Sequence, residues 1–223
     1  MQSFSTIIEG IEYQKGSFTT QVVTTTGSYR KVGLLLRPLF PTVGVRKYRV
    51  LDYGAGIGLG TIALQGALGQ KFVVDSYEPA ADRSQIKVTY NSSDQLIAPY
   101  DAIVCLNVLN VLELRIRSAV VRNILELLGP KGYAFIGVRK WSGDVNSVAP
   151  ETSSFGKEDK SIWLMKKTKA GPVKVFQKGF DGLELVEYIT KIAGEGYDVR
   201  RVSGIAGNSV LVTKQAVTPD KKK

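Results

Sequence analysis

The residues best suited to chemistry form a run of alternating glycines, Asp52-Tyr53-Gly54-Ala55-Gly56-Ile57-Gly58. Glycines at this spacing let the chain reverse sharply and let backbone approach a ligand where a side chain would clash. A phosphate-binding dinucleotide loop would carry glycine at position 59, where this chain has Leu59. A Walker loop would need a Gly-Lys-Ser/Thr ending, which is absent. The acid two residues before the first glycine points elsewhere. A carboxylate there repels a pyrophosphate and suits a cationic amino-acid group, held through ordered water or hydrogen bonds. Glu78 stands 20 residues beyond Gly58, in SYEP. A carboxylate at the end of a strand can take both hydroxyls of a ribose in a bidentate hydrogen bond. Asp75 is its rival, but strand alternation puts it on the opposite face; a solvated strand-end acid is the plain alternative for Glu78 itself.

Composition removes other chemistries. The 223 residues contain no histidine and one cysteine, so Ser-His-Asp and Cys-His catalysis, a histidine base and histidine-ligated metals are excluded. So is an internal disulfide framework. Hydrophobic residues make up 43% and charged residues 22%, ordinary values for a chain long enough to bury a core. The net charge is +10, which draws polyanionic partners or acidic substrates at long range but does not specify them. Residues 1–130 carry 13 Lys and Arg against 10 Asp and Glu, and the rest 17 against 10. The opening MQSFSTIIEGIEYQKG has no basic start and no long apolar run. It does not read as a signal peptide, no membrane span is expected, and the expected location is cytoplasmic.

The elements that must position these residues alternate. RVLDY (49–53) reads as a buried strand, GLGTIALQGALG (58–69) as a helix closed by Gly69, and KFVVDSYEP (71–79) as a second strand. IKVTY (86–90) reads as a third strand and DAIVCLN (101–107) as a fourth. Residues 113–128 carry a helical stripe through Ile116, Val120, Ile124 and Leu127. GPKG closes that helix, and YAFIGVR (133–139) is a fifth strand. Crossovers at this spacing give a Rossmann-like, doubly wound α/β fold: a mostly parallel seven-stranded sheet, with helices on both faces. Upstream, Leu34–Leu36 reads as the start of a helix limited by Pro38 and Pro41. Residues 1–45 stand as an N-terminal extension, 46–214 as the domain and 215–223 as a disordered basic tail. Within the domain, 141–178 breaks the rhythm: a loop-like stretch, then two short strands around Lys-Ala-Gly-Pro. Asp181 and Glu184 form a capping-box pattern opening a last helix. YDVRRVS and NSVLVTK read as an antiparallel C-terminal hairpin.

With these motifs in place, the chain resembles class I S-adenosylmethionine-dependent methyltransferases. VLDYGAGIG matches their first motif, SYEP their second and YDAIVCLNVLNVL their fourth. LLGPKGYAFIGVR matches their next helix, turn and fifth strand, and the terminal helix and hairpin match their reversed last strands. The resemblance therefore spans roughly residues 48–214. More narrowly, NVLNVLELRIRS and FQKGFDGLELVEYI are similar to small methyltransferase-like proteins of phages and bacteria. The resemblance implies S-adenosylmethionine as cofactor. Asp52, Gly54, Ala55 and Gly56 would line its methionine end, with Gly58 completing the loop. Glu78 would bind the ribose, and Ser93 and Asp94 would lie near the adenine. Asn107, ending the fourth strand, would face the cofactor and the transfer site.

Methyl transfer is a displacement at an activated sulfonium, for which alignment contributes most and a strong base is optional. The Asp/Asn-Pro-Pro-aromatic motif of exocyclic base-amine methylation is missing after the fourth strand, which reads Asn107-Val108-Leu109-Asn110. Cys105 sits mid-strand and reads as an inert buried thiol. Asn107 and Asn110 either hold an acceptor amide or hydroxyl or cap the strand-to-helix loop. Arg139 either clamps a carboxylate or phosphate or is a surface arginine. Between 157 and 178, Trp163 and Phe176 interleave with Lys166, Lys167, Lys169, Lys174 and Lys178. That mixture suits a nucleic-acid backbone with stacked bases, or equally a cover over the substrate cleft with its aromatics packed inward. The charge favours nucleic acid as acceptor and partner. A small-molecule methyltransferase and a non-catalytic nucleic-acid-binding or assembly protein are the alternatives.

Overall fold

A computed structural model describes residues 5–8, 11–14, 26–41, 44, 46–80, 87–140, 153–156, 161–168, 171–205 and 207–215. For 5–8, 11–14, 153–156, 164–168 and 171–174 it describes backbone alone. The expected tail beyond 215, the stretch 141–152, Lys169, and the side chains of Lys166, Lys167 and Lys174 lie outside the described residues.

Strands β3 (Tyr48–Tyr53), β4 (Phe72–Tyr77), β5 (Tyr100–Leu106) and β6 (Leu128–Val138) run parallel. The strands β10 (Tyr197–Val202) and β11 (Asn208–Lys214) complete a six-stranded sheet of order β10-β11-β6-β5-β3-β4. β11 pairs antiparallel with β6 and with β10, as the expected hairpin requires. Alternation along β5 feeds two cores. Ala102, Val104 and Leu106 meet helices α1 (Thr26–Leu36) and α2 (Leu59–Leu68) on one face. Ile103 and Cys105 meet α3 (Leu114–Leu127) and α4 (Gly182–Ala193) on the other. With both faces covered, these strands read as continuous apolar runs.

Several local expectations are corrected. Leu34–Leu36 ends a helix rather than starting one: α1 begins by Thr26 and buries Tyr29, Val32, Gly33 and Leu36, a period that the surrounding Ser, Thr and Lys conceal. Leu34 and Leu35 are exposed. Although it precedes residue 46, α1 packs into the core of the main sheet. The third strand shrinks to one parallel bridge, Tyr90 with Tyr77. The hydroxyls of Thr89 and Ser76 each accept the other residue's backbone amide, both at 3.0 Å, replacing strand pairing with side-chain bonds. The Gly129–Gly132 turn lies inside β6 as a bulge, with Lys131 at φ 59°. The loop-like stretch contains β7 (Ser153–Gly156), which joins β8 (Ser161–Thr168) and β9 (Gly171–Lys178) in a separate antiparallel sheet. A hairpin of β1 (Ser5–Ile8) and β2 (Ile11–Gln14) precedes α1. The capping box forms as expected: Asp181 Oδ1 accepts the Glu184 amide at 2.8 Å, and Glu184 Oε2 accepts the Asp181 amide.

Candidate functional site

The glycine loop leaves the carboxyl end of β3 and enters α2, where ligands bind sheets of this kind. Gly54 has φ 80° and Gly56 φ 58°, conformations that side chains disfavour. The amides of Gly54 and Ala55 both donate to the Tyr77 carbonyl, at 2.8 and 2.9 Å, which ties the loop to the end of β4. A Cβ at Gly54 would lie 2.4 Å from Val108 Cγ2, so the loop also abuts the segment after β5. A Cβ at Gly56 would meet nothing within 4 Å. Gly54 is therefore small for the protein's own packing, whereas Gly56 faces open space.

Glu78 turns into this loop. Its Oε2 accepts the Gly56 amide at 2.8 Å and its Oε1 the Ala80 amide at 2.9 Å. Its rival, Asp75, is engaged elsewhere, 3.1 Å from the Arg49 guanidinium. The backbone at Gly56 is open, and beside it Glu78, 8% exposed and bonded to two backbone amides, shapes a cradle in which the sugar and amino-acid portions of S-adenosylmethionine would lie. Gly54–Gly58 would hold the methionine end and Glu78 the ribose.

Asp52 does not line the cradle as the resemblance implies. It has no exposed surface. Its Oδ1 accepts from the Tyr29 hydroxyl at 3.0 Å and its Oδ2 from the Thr61 hydroxyl at 2.5 Å. Burial pushes its carboxyl up to about 7; the two hydroxyl bonds oppose the rise and the Glu78 charge adds to it. Tyr29 and Thr61 escaped the sequence reading, since nothing in their local pattern ties them to position 52.

Ser93 and Asp94 fall in a 3-10 turn, Ser93–Gln95, beyond the Tyr90 bridge. That bridge touches the site, because the Glu78 amide donates to the Tyr90 carbonyl at 3.1 Å. Asp94 itself is exposed and accepts from Ser92. Among the described residues, no hydrogen bond joins Ser93 or Asp94 to the glycine loop.

Asn107 takes φ 60° at the end of β5, its amide donating to the Gly137 carbonyl at 2.8 Å. The chain then coils into the turn Leu109–Val111, on which β9 packs. Asn110, in that turn, is 5% exposed, and its Oδ1 has no hydrogen-bond partner among the described residues. Cys105 is buried, and burial pushes its thiol far above the usual range, as expected of an inert side chain. Arg139 is not a plain surface arginine: it is half-buried and donates to Gln177 Oε1 at 3.2 Å. In the basic segment, Trp163 and Phe176 pack edge to face at 5.3 Å. Lys178 is buried, with its Nζ 2.5 Å from Glu184 Oε1.

A family model described as a methyltransferase domain matches residues 27–168. No curated protein matches the chain. Among solved structures, it is similar to an amino pentose methyltransferase of Micromonospora echinaspora involved in calicheamicin biosynthesis, solved with S-adenosylmethionine bound. They share 18% identity and a TM-score of 0.54 over 86% of this chain and 92% of that one. It is also similar to the 1,6-didemethyltoxoflavin-N1-methyltransferase of Burkholderia thailandensis, solved with 1,6-didemethyltoxoflavin and S-adenosylhomocysteine. There the identity is 20% and the TM-score 0.53, over 88% and 82% of the two chains. A sugar N-methyltransferase from Streptoalloteichus shares 13% identity and a TM-score of 0.52, over 85% and 86%. At these identities the likenesses show the fold.

Proposed function

The chain belongs to the methyltransferase-domain family, as an α/β enzyme that uses S-adenosylmethionine, and from that premise we propose that its acceptor is an amine nitrogen on a small polar molecule. The observation that carries the reading is Asn110, whose buried Oδ1 lacks a partner in the turn after β5. Such an atom costs about 1–3 kcal/mol unless something completes it. An N–H of the acceptor would do so, and in accepting it Asn110 would orient the nitrogen lone pair toward the glycine loop.

The cofactor supplies a methyl group on a positively charged sulfur, already activated for displacement. The chain's part is alignment and enclosure. Among the described residues that come directly after β5 and β6, the polar groups are Asn107, Asn110, Arg139 and Lys140, with Glu113 exposed at the head of α3. Asn107 and Asn110 are neutral amides and Arg139 is a permanent cation. A neutral amine suits this setting, since it attacks through its own lone pair and releases its proton to water afterwards. A hydroxyl would need a base first. The amino pentose and sugar N-methyltransferases act on small acceptors, which agrees with the reading. Against nucleic acid, Phe176 is buried against Trp163, and Lys178 is buried and bound to Glu184, so these two are spent within the protein rather than on bases or phosphates.

The test is transfer of labelled methyl into fractionated small amines, DNA, RNA and protein. Label should appear in a low-mass amine, and Asn110→Ala should lower turnover about 10- to 100-fold while leaving S-adenosylhomocysteine binding intact. Label in DNA or RNA alone would sink the small-acceptor reading.

A further inference from the structure

Asp52 is the acid the glycine-loop pattern places against a ligand, yet its carboxylate is wholly enclosed. Its two hydroxyl donors come from different elements. Tyr29 belongs to α1, and Thr61 to the first turn of α2, the helix that the glycine loop opens. The Tyr29 ring lies against Gly60, where a Cβ would come within 2.4 Å of it. Strand β3, helix α1 and helix α2 thus meet on one carboxylate, immediately behind Gly54–Gly58.

We infer that Asp52, Tyr29 and Thr61 form a clasp that sets the glycine loop from behind, making Tyr29 a positioning residue for a cofactor it does not touch. The inference rests on the reading of this loop as the cofactor cradle. A shift of α1 would tilt Asp52, and with it Gly54, whose amide is fixed to Tyr77 on the other side. The loop is held from two directions, and the Asp52 side is the one that depends on hydroxyl donors.

The clasp should titrate visibly. The groups facing Asp52 are Tyr29 from α1, Thr61 from α2 and Glu78 from the end of β4; Cys105 of β5, on the other face of the sheet, feels the Asp52 charge only at a distance. Burial, with Asp52 second, holds the Tyr29 phenol well above its ordinary range, so it stays a donor. Burial likewise keeps the Cys105 thiol protonated. With Asp52 pushed up to about 7 and no histidine in the chain, no side chain of ordinary pKa masks its titration.

The experiment is calorimetric titration of S-adenosylhomocysteine into the full-length wild type, Tyr29→Phe, Thr61→Val and Thr61→Ser, from about pH 5.5 to 8.5. Tyr29→Phe keeps the ring on Gly60 and removes only the hydroxyl. It should bind about tenfold more weakly, the factor for one hydrogen bond of ordinary strength. The midpoint of its pH dependence should move upward, because a donor favouring the charged carboxylate is gone. Thr61→Val should behave alike, and Thr61→Ser should restore wild-type affinity and midpoint. Unchanged affinity, or weaker binding with an unmoved midpoint, overturns the clasp. A wild type that gives no heat overturns the cradle reading itself, and the clasp with it.

Discussion

At the scale of single residues, Asp52 and Asn110 show opposite solutions for a buried polar group. Asp52 is surrounded by donors and enclosed; Asn110 is enclosed with an oxygen left over. The first has a consequence for stability. The folded carboxyl titrates at about 7, against an ordinary 3.8. Between those values the folded chain holds a proton that the unfolded chain has lost, so this group's contribution is present at low pH and declines as pH rises through 7. Asn at position 52 does not titrate. The melting temperature of Asp52→Asn, measured against wild type, should therefore rise in relative terms from about pH 5 to 8, the direction linkage requires. A difference that is flat across this range would place the Asp52 titration elsewhere.

At the scale of elements, the glycine loop separates two reasons for lacking a side chain. Gly54 is pressed by Val108, whereas Gly56 opens onto space beside Glu78. Gly54→Ala should lower the melting temperature more than Gly56→Ala, which costs about 1–2 kcal/mol for its left-handed backbone alone. Adding Val108→Ala should recover part of the Gly54→Ala loss. Gly56→Ala should instead show its larger effect as weaker S-adenosylhomocysteine binding. The join between β9 and α4 gives a second contrast. Lys178 is 3% exposed and Glu184 26% exposed, and Glu184 also closes the capping box. Removing the carboxylate takes an ion-pair partner away from a buried cation, a loss of up to about 3–5 kcal/mol. Lys178→Met leaves a partly solvated acid, so thermal melting should find Glu184→Ala the less stable of the two.

At the scale of the whole molecule, the charge of +10 is a long-range property. It does not decide what enters the site. If the acceptor is a small amine, turnover should change less than about twofold between about 50 and 200 mM salt. A nucleic-acid acceptor held through six to ten phosphates would lose roughly 10³- to 10⁵-fold in affinity over that range. No helix among the described residues is long and apolar enough to cross a membrane. α1 belongs to the same packed body as the sheet, so the family match beginning at residue 27 has a structural counterpart.

The residues alone determined the parallel α/β order, the glycine loop, the Asp181–Glu184 cap and the antiparallel C-terminal hairpin. Each depends on a pattern within one element or one turn: period 2 or 3.6, positive φ at glycine, a donor three residues from its acceptor. Tertiary structure decided what those patterns could not carry. Asp52 finds its donors 9 and 23 residues away on two helices. The third strand yields to Ser76 and Thr89 hydroxyls, and Lys178 leaves a basic run to pair with Glu184. Asn110 is enclosed in a turn on which β9 packs from a separate sheet. Burial and pairing depend on which distant segments meet, and local sequence does not encode that meeting.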